Sequence, residues 1–287
     1  MKTLLPAAII FGILSAIDNS TFAQIWTSNG IPGMSGWSAL AMSADGIVMT
    51  AAGSTNIYIS TNSGAIWLPT SAPGQYWAAI ASSADGSKLI AAASPVGYAG
   101  GIYTSTNFGT SWTSNNVPNP NYWNAVASSA DGTRLIATAG YYSSSAGPVC
   151  ISTDSGNTWA QTGAPVTDWC SVASSADGSK LLAGTFGGPV YLSTNSGGTW
   201  MLQTNLPAAR WETMALSADG RILMAVAYEV GSGPGGIYTS TNSGAVWTRA
   251  NTPTSQYYWP AFCSSADGTK WVAIGHWVFY STNSGNT

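Results

Sequence analysis

Two carboxylates facing each other across a bond are what glycoside hydrolysis requires. This chain offers three acids that could serve, Asp168, Glu212 and Glu229. Arg210 and Arg249 are the cations that could hold an anionic group beside them. Nothing in the spacing sets any two of these carboxylates at a catalytic separation. His276 follows Gly275 at a strand end without an evident Ser or Cys partner, and reads as a loop histidine rather than a general base. Cys150, Cys170 and Cys263 are odd in number and widely spaced, with no CxxC and one histidine in the whole chain, so they make neither a disulfide framework nor a zinc site. They read as small buried hydrophobes. No catalytic residue is assigned, and no metal or cofactor is expected.

So few candidates remain because the other charges are structural. Only 7% of the 287 residues are charged, 8 basic against 11 acidic, for a net charge of -3. No basic stripe exists to meet a phosphate backbone, which excludes nucleic acid as a partner. Asp45, Asp85, Asp131, Asp177, Asp219 and Asp267 each sit in an Ala-Asp-Gly turn. Lys88, Arg134, Lys180, Arg221 and Lys270 each follow such a turn in register.

These turns belong to a repeat. "WSALAMSADG" (37–46) recurs as "WAAIASSADG" (77–86), "WNAVASSADG" (123–132), "WCSVASSADG" (169–178), "WETMALSADG" (211–220) and "WPAFCSSADG" (259–268), at a period of 40 to 48 residues. Asp-Gly between apolar runs marks a tight hairpin. A second signature keeps step with the first: "STNSGAIW" (60–67), "STNFGTSW" (105–112), "STDSGNTW" (152–159), "STNSGGTW" (193–200), "STNSGAVW" (240–247) and a closing "STNSGNT" (281–287). One unit therefore reads as four short antiparallel strands with hairpins at the ADG and the box. Small residues in the first strand suit the crowded axis of a propeller. The expected fold is all-β: a six-bladed β-propeller of four-stranded blades in one domain, residues 25–287. The alternative is a seven-bladed propeller cut short.

"STDSGNTW" matches S-x-D-x-G-x-T-W and resembles the Asp-box, or bacterial neuraminidase repeat, of the sialidase-like, xyloglucanase-like and sortilin-like propellers. The resemblance spans nearly the whole chain. It implies a fold rather than a function, since the same box occurs in sialidases, xyloglucanases, sorting receptors, photosystem assembly factors and binding proteins. Five boxes carry Asn where the family has Asp (Asn62, Asn107, Asn195, Asn242, Asn283), and Asp154 alone keeps the acid. Asn preserves the local hydrogen bonds, while a calcium role loses its charge. The sialidase arginine triad and Tyr–Glu pair have no counterpart outside the repeat positions.

Lys2, an apolar run over 4–17 and small residues before Gln24 predict a secretory leader, residues 1–24, and hence a secreted or periplasmic protein with no membrane span. Ile25-Trp26 aligns with Ile66-Trp67, so residues 25–30 are expected to supply the fourth strand of the last blade, with Trp26 completing the box at 281–287.

The tryptophans that open first strands and lid the boxes are expected to pack between blades. Variation gathers on the opposite face, in the loops "SPVGYAGG" (94–101), "YYSSSAGP" (141–148) and "YEVGSGPGG" (228–236), and in the residue before each first-strand Trp. A ligand site there would use Tyr76, Tyr122, Asp168, Arg210, Glu212 and Tyr258, a set suited to a glycan or a protein. The reading is a monomeric, non-catalytic binding or scaffold propeller. The alternative is a glycoside hydrolase or lyase using Asp168, Glu212 or Glu229.

Overall fold

The computed structural model describes residues 36–94, 100–118, 122–141, 145–230, 233–252, 259, 261–275 and 277–285. The chain forms a six-bladed β-propeller, each blade an antiparallel sheet with its strands in chain order. Blade 1 holds β1 (Trp37–Met42), β2 (Met49–Gly53), β3 (Ile57–Ser60) and β4 (Leu68–Pro69). Blade 2 holds β5 (Tyr76–Ser82), β6 (Leu89–Ser94), β7 (Ile102–Ser105) and β8 (Thr113–Asn115). Blade 3 holds β9 (Trp123–Ser128), β10 (Leu135–Tyr141), β11 (Ser145–Ser152) and β12 (Ala160–Gln161). Blade 4 holds β13 (Trp169–Ser174), β14 (Leu181–Thr185), β15 (Val190–Ser193) and β16 (Met201–Leu202). Blade 5 holds β17 (Trp211–Leu216), β18 (Leu223–Val230), β19 (Gly233–Ser240) and β20 (Thr248–Arg249). Blade 6 shows β21 (Ala261–Ser264), β22 (Trp271–Ile274) and β23 (Val278–Ser281); the leader and the strand expected at 25–30 lie outside the described residues.

Both hairpins of a blade are tied by buried serines. In the ADG turn, Ser129 Oγ donates to Asp131 Oδ1 (2.6 Å) and accepts from Arg134 N–H (3.0 Å), while Asp131 also caps Thr133 N–H (3.0 Å). In the box, Ser193 Oγ accepts from Gly197 N–H (2.8 Å) and donates to Asn195 Oδ1, which accepts from Thr199 N–H (2.8 Å). In the box, local side-chain bonds of this kind hold the hairpin with an amide in the acid's place, whereas the ADG turn uses the Asp131 carboxylate. In all six blades the second box serine, or Phe108, donates its N–H at 2.8–2.9 Å to the carbonyl just after the ADG, so the two hairpins share one face.

The blades are joined by tryptophan. Trp77, Trp123, Trp169, Trp211 and Trp259 are 0–2% exposed, and each packs with the third strand of the blade before it. Trp169 and Trp211 also donate their indole N–H to Gly147 and Gly188 carbonyls of the preceding blade. Aromatics of this size each bury a large apolar area. A chain of backbone bonds adds to them: Ala44 N–H donates to Ala84 C=O, Ala84 to Ala130, Ala130 to Ala176, Ala176 to Ala218 and Ala218 to Ala266, at 2.6–2.9 Å.

Two expectations are corrected. Arg221 is not in register with the other turn cations: Ile222 fills that position and packs on Gly268, as Lys88, Arg134 and Lys180 pack on Gly132, Gly178 and Gly220. The loops expected at 141–148 and 228–236 are mostly strand. Tyr141 pairs with Ser145, Glu229 with Pro234 and Val230 with Gly233, extending two hairpins outward.

Candidate functional site

On the face opposite the hairpins, each first strand enters beside the end of the second. Gly140, Phe186 and Tyr228 donate backbone N–H to the carbonyls of Tyr122, Asp168 and Arg210, at 3.0, 2.8 and 2.8 Å. This rung sets an aromatic ring across from Asp168 and another across from Arg210. The next residue pair is irregular. Trp211 pairs with Ala227 and Thr213 with Val226, leaving Glu212 in a β-bulge. Blades 1, 2, 3 and 4 bulge at the same place, at Ser38, Ala78, Asn124 and Cys170. A bulge re-aims one side chain and bends the strand, a common device beside binding sites. Sequence pattern alone gives no sign of it, because the strand's alternation continues on either side.

Arg210 is the centre of the site. Its guanidinium carbon lies 5.3 Å from the Phe186 ring centre, on blade 4, and 4.9 Å from that of Tyr228, on its own blade. Two ring faces on one planar cation make a cation–π sandwich across the blade 4–blade 5 junction. Arg210 Nε meets Glu212 Oε1 at 2.5 Å, with 14% of each side chain exposed. Arg210 favours the ionised Glu212 carboxylate first by its charge and then as a side-chain hydrogen-bond donor. Burial pushes the Glu212 carboxyl above its ordinary range, and Arg210 opposes the shift without cancelling it.

Cys170 stands against this pair. Burial raises its thiol strongly, the Glu212 charge adds to the shift, and Arg210 pulls the other way. Such a thiol stays protonated and is inert as a nucleophile. Cys150 is buried and pushed up to about 12 by the same cause, and none of the three cysteines is in a disulfide. Asn124, the blade 3 bulge, donates from Nδ2 to Gly140 C=O (3.0 Å) and to Trp169 C=O of the next blade, so it straps a junction.

Of the six residues expected at the site, Arg210 and Glu212 touch. Asp168 joins them electrostatically around Cys170. Tyr76 is 52% exposed on blade 2, Tyr122 is half-buried on blade 3, and Tyr258 lies outside the described residues, as does His276. Glu229 belongs to the outer end of β18, opposite Pro234. Phe186, Tyr228, Cys170 and Asn124 were not anticipated. Aligning the ends of the second strands would have shown Phe186 and Tyr228 in equivalent places. Among the described residues no group of three His, Cys, Asp or Glu is arranged to hold a metal, and no helix is long and apolar enough to cross a membrane.

The hairpin-face acids are committed elsewhere. The Ser129 and Ser175 hydroxyls, then backbone N–H groups, bring Asp131 and Asp177 down to about 2. The same bonds lower Asp45, Asp85, Asp219 and Asp267.

No family model and no curated protein matches the chain. Solved structures do. The GH74 xyloglucanase of Xanthomonas campestris superposes with a TM-score of 0.67 at 16% identity, over 88% of this chain and 45% of that one. YCF48 from Cyanidioschyzon merolae gives 0.67 at 13% identity, over 91% and 87%, and YCF48 bound to D1 peptide gives 0.64 at 14%, over 89% and 82%. This chain thus spans less than half of the xyloglucanase and most of YCF48. Likeness at these identities is a likeness of fold: all are β-propellers.

Proposed function

We propose that this chain is an exported, monomeric propeller of the Asp-box kind that binds a largely uncharged ligand, a protein segment or a glycan, on the face centred on Arg210. The observation that carries the reading is the Phe186–Arg210–Tyr228 sandwich pinned by Glu212. It fixes a rigid aromatic and polar shelf at the blade 4–blade 5 junction, with Tyr76 exposed on blade 2 and Tyr122 half-buried on blade 3. Rings offer stacking area at low entropic cost, and neighbouring amides can pair with a backbone or with hydroxyls. YCF48, a propeller of like fold, has been solved with a bound peptide, which supports a peptide-binding reading. Binding measured on peptide and glycan arrays should collapse when Tyr76, Tyr122 and Tyr258 become Ala while the melting temperature holds. Binding that is unchanged would overturn the choice of face.

One observation favours a second reading, a glycoside hydrolase or lyase drawing on Asp168, Glu212 and Glu229. A carboxyl raised by burial, as at Glu212, is what a general acid needs near neutral pH. Turnover of a polysaccharide that is lost in Glu212→Gln would establish it. No turnover, or turnover surviving amide replacement of all three acids, removes it.

A further inference from the structure

The hairpin face repeats its polar residues from blade to blade and breaks the pattern at one junction. The residue after the ADG glycine is Ser87, Thr133, Ser179 or Thr269 in blades 2, 3, 4 and 6, and its hydroxyl donates to the turn aspartate at 2.8 Å. The next residue is Lys88, Arg134 or Lys180 in blades 2 to 4. Its charged end donates to the second box serine of the following blade, Ser155, Ser196 or Ser243. Near the end of the box, the hydroxyls of Ser111, Thr158 and Thr199 bond to the side chains of Asn107, Asp154 and Asn195. At the blade 1–blade 2 junction all these places are apolar: Ile47, Val48 and Ile66 on blade 1, and Phe108 on blade 2. They are neighbours. Ser63 N–H donates to Ile47 C=O, Phe108 N–H donates to Ser87 C=O, and Ala44 N–H joins the two turns through Ala84 C=O. Val48 packs on Gly86 as Lys88 packs on Gly132, so Val48 and Phe108 stand where Lys88 and Ser155 meet one junction on. Ile47, Ile66 and Phe108 are 46%, 60% and 41% exposed. Blade 5 carries Ile222 and Val246 in two of the same places, but Arg221 keeps a cation there and Ser284 of blade 6 a hydroxyl.

Packing alone does not account for this patch. Phe108 holds a left-handed backbone (φ +55°) with much of its ring in solvent, an arrangement that costs stability and is found where function maintains it. Two carboxylates border the apolar residues. Asp45 Oδ1 accepts from Ile47 N–H (3.0 Å), and Asp85 Oδ1 accepts from the N–H of Ser87 (3.0 Å), the residue whose carbonyl holds Phe108. The Ser43 and Ser83 hydroxyls, then backbone N–H groups, keep both acids ionised, and among the described residues no Lys or Arg adds to this. At Asp131, Asp219 and Asp267 the serine hydroxyl is joined by a nearby Lys or Arg. Lys88, the cation of blade 2, is turned to Asp131 C=O and Ser155 on blade 3. We propose that the hairpin face at the blade 1–blade 2 junction docks a segment of another protein that is apolar at its centre and carries Lys or Arg on either side. Its apolar residues cover Ile47, Ile66 and Phe108, and its cations meet Asp45 and Asp85 at the rim, where such charges set partner choice and association rate. An acidic segment meets like charge there. This surface lies on the opposite face from Arg210 and does not depend on the loop-face site.

The probe is the capped peptide Lys-Leu-Phe-Leu-Lys, with Glu-Leu-Phe-Leu-Glu and Lys-Ser-Ser-Ser-Lys as controls, titrated against the protein while backbone amide resonances are followed. The Lys-Leu-Phe-Leu-Lys peptide should shift the amides of Ile47, Ile66 and Phe108, more than either control does, and bind less tightly as salt rises from about 0.01 M to about 0.15 M. Ile47→Thr, Ile66→Thr and Phe108→Ser together install the residues that blade 3 carries as Thr133, Thr158 and Ser155, so the hairpins keep local bonds already used in this fold. Binding should weaken about tenfold or more in that triple variant, as when apolar anchors are removed from a small interface. Equal binding of the Lys and Glu peptides overturns the proposal, and that comparison needs no variant. Binding unchanged in the triple variant, or no shift at the three amides at about 1 mM peptide, also overturns it. Shifts at those amides that grow with protein concentration in the absence of peptide overturn it as well, because a second copy of the chain would then be the occupant.

Discussion

Arg210→Met isolates the charge of the Arg210–Glu212 pair. Methionine keeps an unbranched apolar stem between Phe186 and Tyr228, so the stacking shelf loses its cation but stays filled. Glu212 then has no counter-charge on a side chain that is 14% exposed. Breaking a buried pair from one side costs about 3–5 kcal/mol. The residual exposure lets water compensate part of this, leaving about 2–3 kcal/mol at pH 7. For a chain of this size that is a fall of about 5–10 °C in melting temperature.

The sign with pH is set by burial. The folded Glu212 carboxyl already holds its proton more tightly than the unfolded chain does, so its contribution is best at low pH and is lost as pH rises through the raised value. Without Arg210 the upward shift is larger. The deficit of Arg210→Met against wild type should therefore be full at pH 7 and nearly vanish at about pH 4, where the unfolded carboxyl is itself protonated. Melts followed by tryptophan fluorescence at both values measure it. Arg210→Met with Glu212→Met should recover to within about 1 kcal/mol of wild type, because an apolar pair can replace a buried ionic one. A loss below about 1 kcal/mol at pH 7, or an equal loss at both pH values, would refute the charge argument.

Gly132→Ala should cost more than about 1–2 kcal/mol, since φ is +65° and the new Cβ would lie 2.7 Å from Lys88 Cδ and 2.8 Å from Lys88 Cβ; Lys88→Ala, which keeps its Cβ, should return little of the loss in urea melts. Asp131 and Asp177 are held down to about 2, so their contribution is complete above the unfolded value near 4 and fades as pH falls from about 4 to 2. Asp131→Asn with Asp177→Asn should flatten the melting-temperature profile over that window. Phe108 holds φ at +55° with 41% of its surface exposed, in a place where the other boxes have Ser. Phe108→Asn should gain about 0.5–1 kcal/mol, read as a higher melting temperature.

The repeat was legible because its residues act on neighbours in the chain. Ser-Ala-Asp-Gly and the box close their own hairpins, so composition and spacing announce them. The first-strand tryptophans were legible too, since a side chain of that size recurring once per blade has to be buried between blades. The site was only half visible. Arg210 and Glu212 stood out by breaking the pattern, but their partners are set by pairing across strands and blades. Phe186 reaches Arg210 from blade 4, and Cys170 meets Glu212 from the same side. The bulge at Glu212 is invisible because one unpaired residue leaves the apolar alternation intact. Arg221 misled by a single residue: charge after a turn looks equivalent until Ile222 is seen occupying the place over Gly268.

The five backbone bonds from Ala44 through Ala266 all run in one sense, and the four turns between these ends each donate forward to the next and accept from the one behind. Each of these five junctions is thus a head-to-tail contact between two near-identical surfaces, the kind that closes into a ring or grows without limit according to its rotation angle. Adding or losing a whole repeat would leave every remaining junction chemically unchanged. Blade number in such a chain is a property of the angle at the joint, and gene duplication can vary it without inventing a new interface.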